Sequence, residues 1–121
     1  MCEADSRTKI LYHGTGSRRL ESIKNRGLLP KLDSFVYASE VRKITCVFAT
    51  ARGELEDDWG LIVKFKTEKE GWVRDPQFPD SLKSVDAVKP EDILDFEILD
   101  LEEELQCSEW LKAKVKTIFL T

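Results

Sequence analysis

One imidazole carries most of the chemistry this chain can offer. His13 is the only histidine, and it stands at the exit of the extended run Ile10-Leu11-Tyr12, directly before Gly14-Thr15-Gly16. An imidazole changes its hydrogen-bonding role near neutral pH, and glycines beside it let a backbone come close to a ligand. Local spacing leaves a second reading open, because a half-buried histidine bonded to a backbone carbonyl has the same surroundings. Arg18 and Arg19 follow at the start of a predicted helix, where free N–H groups and the helix dipole favour a pyrophosphate. The same pair also reads as two solvated arginines on an outer face. Cys2, Cys46 and Cys107 form no CxxC pair and read as free thiols, so no metal site is expected. The acidic runs Asp57-Asp58 and Glu102-Glu103-Glu104 read as solvated faces.

These groups need elements to position them. Residues 9 to 13 alternate as a short strand ending in a turn at Gly14-Thr15-Gly16. Ser17 is placed to cap a helix of about ten residues, with Leu20 and Ile23 inward and Gly27 as its stop. Phe35 to Ser39 is β-prone. Glu40 to Thr50 fits a helical stripe and also contains the β-prone Ile44-Thr45-Cys46-Val47-Phe48; a short helix is the reading adopted. Arg52 to Asp58 reads as an exposed loop, Leu61 to Phe65 as a half-buried strand, and Gly71-Trp72-Val73 as the start of another. Ser84 to Val88 reads as a strand, Pro90-Glu91-Asp92 as a turn, and Leu94, Phe96 and Ile98 as inward positions of a further strand. A helix over about 101–116 completes the chain, its acidic first turn and basic last turn matching the helix dipole. Tyr12, Phe65, Trp72 and Phe96 are assigned to packing.

The 121 residues suit one domain, 1–121, of α+β class, with about six short strands and flanking helices. With 41% hydrophobic and 35% charged residues the chain should fold as a soluble globule. No apolar run is long enough to span a bilayer, and Met1-Cys2-Glu3-Ala4-Asp5 lacks the apolar stretch of a signal peptide, so a cytoplasmic protein with no membrane contact is expected. A net charge of −4 makes broad nucleic-acid binding unlikely, because such binding depends on Lys and Arg neutralising phosphates.

The order of segments resembles a known family. Leu11-Tyr12-His13-Gly14-Thr15, a helix ending in Gly27-Leu28-Leu29-Pro30, then Val36-Tyr37-Ala38-Ser39 and Val47-Phe48-Ala49-Thr50 are similar to the ADP-ribosyltransferase superfamily. Within it the chain looks like the branch with a His-Tyr-acidic signature, which includes the poly(ADP-ribose) polymerases and, more remotely, the RNA 2'-phosphotransferases. The resemblance runs from about Lys9 to Ile98 and is most specific in the first forty residues. It implies a split, bent β-sandwich around a cleft that holds NAD, as substrate, with the nicotinamide deepest. It implies further that His13 bonds a ribose hydroxyl, the Gly14 backbone holds the nicotinamide carboxamide, and Thr15 supports that turn. Tyr37 would stack on the nicotinamide and Phe48 would flank it, with Ser39, Arg18 and Arg19 completing the cofactor-binding set. The family's late glutamate falls near Ser81 here, and Asp80 and Asp86 are the nearest acids; Asp86 is the catalytic candidate beside His13 and Tyr37. That departure argues against polymer elongation. The expectation is transfer of a single ADP-ribose to an unknown acceptor, or NAD hydrolysis. The alternatives are a catalytically silent module binding NAD, ADP-ribose or a partner, and an RNA 2'-phosphotransferase-like enzyme.

Overall fold

The computed structural model describes residues 8–30, 35–55, 58–76, 81–100 and 102–103. Strand β1 (Thr8–Gly16) is followed by a 3-10 turn (Ser17–Arg19) and helix α1 (Leu20–Arg26); then come β2 (Val36–Ser39), α2 (Arg42–Leu55), β3 (Gly60–Glu68), β4 (Val73–Arg74), β5 (Ser81–Ser84) and β6 (Ile93–Ile98). The strands form one antiparallel sheet in the order β4-β5-β2-β1-β3-β6, with the six strands and α+β class expected. Among the described residues no helix is long and apolar enough to cross a membrane.

Its spine is the β1–β3 ladder, in which nine consecutive pairs run from Thr8↔Glu68 to Gly16↔Gly60. Alternation along this ladder creates two faces. Leu11, Val63 and Phe65 point to one, where they pack with Ile23 of α1, Leu28, Val36, Ala38 and Val88. Ile62 and, in part, Tyr12 point to the other, against Cys46, Val47 and Ala49 of α2 and Leu99. Trp72 and Phe96 also pack on the first cluster, as expected of them.

The way α2 is seated corrects the expected turn at Gly14-Thr15-Gly16, because these residues continue β1 and pair with Ile62, Leu61 and Gly60. Their glycines admit a helix. A Cβ on Gly14 would lie 2.6 Å from the Thr45 carbonyl oxygen and 2.7 Å from the Ala49 nitrogen, and one on Gly60 would lie 2.9 Å from the Ala49 carbonyl. With α2 this close, the β-prone Ile44 to Phe48 stretch is held helical by burial of Thr45, Cys46, Val47 and Ala49. The helix runs on to Leu55, through half of the segment expected to be a loop.

Other boundaries moved for local reasons. Ser17 caps nothing: the turn after β1 has no side-chain cap, and the Ser17 hydroxyl instead donates to Asp58 at 2.6 Å. Gly27 does stop α1, at φ 78°. The expected strand over Ser84 to Val88 is replaced by β5, which ends where the Ser84 hydroxyl accepts the Asp86 N–H at 3.1 Å; Val88 then exchanges both backbone bonds with Leu28. In β6 the register to β3 shifts beside Phe65, so Ile93 and not Leu94 stands opposite Phe65 and packs on the core; Phe96 packs there too, while Leu94 and Ile98 are exposed. The predicted helix over about 101–116 lies outside the described residues apart from Glu102 and Glu103, which are helical. Glu103 and Glu97 both receive the Arg42 guanidinium, tying the start of α2 to β6 and the chain beyond it. Glu97, more than Glu103, raises the guanidinium pKa further above its usual value.

Because the side-chain space above Gly14 is filled by backbone, Gly14→Ala should destabilise the fold by about 1–3 kcal/mol, read from urea midpoints. An unchanged midpoint would mean that α2 is not seated on β1 as described.

Candidate functional site

His13 sits midway along β1, opposite Val63, on the face that carries Leu11. It is 8% exposed, and its Nδ1 lies 2.6 Å from the carbonyl oxygen of Tyr37. A carbonyl only accepts, so Nδ1 carries the proton, and in the neutral ring Nε2 is then an acceptor. The reason the imidazole can reach that carbonyl lies in the sheet. Strands β1 and β2 pair at Tyr12↔Ser39 alone, and beyond this point the histidine side chain supplies the link that a ladder N–H would otherwise make. The bond to a backbone carbonyl is one of the two readings local spacing left open for His13, and it orients the ring as well.

Thr15 follows on the same face of β1. It is 1% exposed, and among the described residues its Oγ1 has no hydrogen-bond partner. An unpaired buried hydroxyl costs about 1–3 kcal/mol, and this one lies two residues from an oriented imidazole. Gly14, between them, lies under α2.

Tyr37 meets His13 through its backbone. Its neighbours Val36 and Ala38 point into the core beside Leu11, so alternation places the phenol ring on the opposite face, where it lies 6.2 Å from the Phe35 ring. Ser39 is buried, and its hydroxyl accepts the Val41 N–H at 3.0 Å, shaping the passage from β2 into α2. Phe48 is half-buried on α2.

The acids lie elsewhere. Ser81, which matches the family's late glutamate, is buried in β5 opposite Ser39. Asp80 falls outside the described residues. Asp86 lines a groove of about 630 Å³ with Trp72, Ser84, Glu70 and Thr8, a group that contains neither His13 nor Tyr37. Thr8 and His13 are five residues apart on β1, or roughly 16 Å at strand rise. The structure thus brings His13 to the Tyr37 carbonyl, with Thr15 on the same face of β1, and places Asp86 in a groove lined by other residues.

Arg18 and Arg19 are exposed on the 3-10 turn. Asp58, which sequence reading treated as part of a solvated acidic run, is the anion at that turn. Its carboxylate receives the Ser17 hydroxyl, the Trp59 N–H at 2.8 Å and the Arg18 N–H, while the Ser17 N–H donates to the Trp59 carbonyl. These contacts, led by Ser17, hold the Asp58 carboxyl below its usual pKa. A serine seventeen positions into the chain gave no local sign of a partner forty-one residues on; only pairing of Gly16 with Gly60 brings them together.

No known protein family model matches the chain. Over 50 residues it is 44% identical to a probable RNA 2'-phosphotransferase of Pyrobaculum aerophilum. That stretch covers 41% of this chain and 24% of the relative, so the chain spans about a quarter of the protein it matches.

Two outcomes follow. His13→Phe keeps a buried ring but leaves the Tyr37 carbonyl without its donor and should cost about 1–3 kcal/mol, whereas His13→Gln, which retains an N–H, should cost less in the same urea titration. Asp58 has a depressed folded pKa, so its charge stabilises the fold above the unfolded value of 3.8 and that contribution is lost as the pH falls. The melting-temperature difference between wild type and Asp58→Asn, which keeps the acceptor oxygen but not the charge, should therefore narrow on acidification from about pH 6 to about pH 3. A constant difference would show that the charge is irrelevant to the turn.

Proposed function

We propose that this chain is an NAD-consuming transferase of the RNA 2'-phosphotransferase kind, acting on a 2'-phosphorylated RNA. The observation that carries the reading is the 44% identity over 50 residues with the probable RNA 2'-phosphotransferase. The resemblance of the Leu11 to Thr15 segment to the wider ADP-ribosyltransferase superfamily supports NAD as the co-substrate.

In this reading the bond between nicotinamide and its ribose carbon breaks, nicotinamide leaves with the electron pair, and a phosphate oxygen of the RNA bonds to that carbon. The neighbouring ribose hydroxyl oxygen then bonds to the phosphorus, and the RNA 2'-oxygen leaves with the electron pair of the broken P–O bond and takes up the hydroxyl proton. The protein's task is to hold the ribose and stabilise developing positive charge. His13 suits the first part, because its bond to the Tyr37 carbonyl fixes the orientation of the ring that the resemblance assigns to the ribose. Arg18 and Arg19, exposed on the turn after β1, are placed for phosphate. In this reading Tyr37 acts through its carbonyl, and Asp86 lines a groove whose lining includes neither His13 nor Tyr37. A net charge of −4 limits the RNA contact to a local one.

A second reading, a module that binds NAD or ADP-ribose without turnover, is favoured by the place of Asp86 in a groove whose lining includes neither His13 nor Tyr37. The two separate in one assay. Incubation with NAD and a 2'-phosphorylated oligonucleotide should release nicotinamide and remove the 2'-phosphate, and His13→Ala should slow both by about 100-fold. Nicotinamide release without loss of the 2'-phosphate would redirect the reading to single ADP-ribose transfer or NAD hydrolysis. A rise in melting temperature with NAD and no turnover would favour the binding module. An untouched oligonucleotide, with identical background for wild type and His13→Ala, would end the transferase proposal.

A further inference from the structure

The turn after β1 is held by the connection between α2 and β3. A Cβ on Gly53 of α2 would lie 2.7 Å from the Trp59 carbonyl carbon, 2.8 Å from the Asp58 carbonyl oxygen and 2.9 Å from the Gly60 nitrogen. Residues 58–60 therefore run directly against α2, where no side chain fits. The Asp58 N–H donates to the Gly53 carbonyl at 2.7 Å and fixes the segment further. With its backbone seated in this way, Asp58 turns its carboxylate to the start of the 3-10 turn. There it receives the Ser17 hydroxyl at 2.6 Å, the Trp59 N–H at 2.8 Å and the Arg18 N–H. The Ser17 N–H closes the arrangement by donating to the Trp59 carbonyl at 2.8 Å.

We infer that Asp58 is a positioning residue, holding the turn so that Arg18 and Arg19 present their guanidinium groups to a phosphate of the substrate. The inference rests on the transferase reading and names what sets its phosphate contacts. The carboxylate occupies the donors inside the turn, the Ser17 hydroxyl and the Arg18 N–H, so recognition of a second anion falls to the arginine side chains. A guanidinium makes two parallel bonds to phosphate oxygens only in a fixed orientation, which a turn tied by these bonds supplies. The negative charge of Asp58 works against an incoming anion. Two arginines beside one carboxylate still leave the turn positive, so the carboxylate orders the turn without cancelling its attraction for phosphate. That phosphate is either the 2'-phosphate of the RNA or the pyrophosphate of NAD, and affinities separate the two.

The test measures the affinity of the full chain for a 2'-phosphorylated oligonucleotide, for the same strand without that phosphate, and for NAD. Asp58→Ala should weaken one phosphate-bearing probe by about tenfold and leave the others as in wild type. Loss confined to the 2'-phosphorylated strand assigns the arginines to RNA, and loss confined to NAD assigns them to the pyrophosphate. Asp58→Asn, which keeps an acceptor oxygen, should lose less, and Ser17→Ala should shift the same probe; these two carry the comparison if Asp58→Ala does not fold. In an Arg18→Gln, Arg19→Gln background Asp58→Ala should have no further effect, because the carboxylate acts through those side chains. Weakening that includes the unphosphorylated strand to the same degree would reveal a purely structural role, and unaltered or tighter binding would show that Asp58 does not serve the arginines. Either result overturns the inference. A selective loss in Asp58→Ala, from a wild type that releases no nicotinamide, would leave Asp58 in its role and remove the transferase reading; turnover with unaltered affinities would do the reverse.

Discussion

The arrangement depends on how close a helix can come to a strand. Helix α2 rests on the backbone of Gly14 and Gly60, at distances that leave no room for even one methyl group. That approach closes one face of the β1–β3 ladder and buries Cys46, Val47 and Ala49 against Ile62 and Leu99. Since neighbouring strand residues point in opposite directions, a helix over Gly14 obliges His13 and Thr15 to face the other way. The orientation of the imidazole is thus a consequence of helix packing one residue away.

Where the sheet stops pairing, side chains take over its hydrogen bonds. Beyond Tyr12↔Ser39 the two central strands are linked through His13, which donates to the Tyr37 carbonyl. At the end of β1, Asp58 gathers the Ser17 hydroxyl and the N–H groups of Arg18 and Trp59, so the polar groups of the turn are met by a carboxylate from the α2–β3 connection. Both substitutions join segments far apart in the chain, and both lie along the stretch of β1 that the chemistry would use. A single tautomer is selected for the histidine by that carbonyl.

The placement of acids separates this chain from the pattern its first forty residues suggest. Ser81 stands where a carboxylate would be expected, and Asp86 belongs to the groove beside Trp72, beyond the bend made by Ser84.

Much of this was legible in the residues. Alternation identified β1, β3 and β6, the i, i+3 pair Leu20 and Ile23 with Gly27 identified α1, and the packing roles of Phe65, Trp72 and Phe96 followed from their periods, because such signals lie within one turn or one pleat. His13 stood out as the lone imidazole beside glycines. What local order could not decide was anything requiring two distant segments at once. The choice of helix over strand at Ile44 to Phe48 was made by burial against β1 and β3; Gly14 was reserved for α2; Ser17 turned to Asp58; Leu94 was pushed outward by a register shift against β3; and the phenol of Tyr37 was set on the face away from His13 by strand alternation. The sequence by itself determined which residues could do chemistry and which elements they occupy, because side-chain type and short-range periodicity are local properties. Tertiary structure alone decided which of them meet, because direction and hydrogen-bond partner depend on what packs across the sheet.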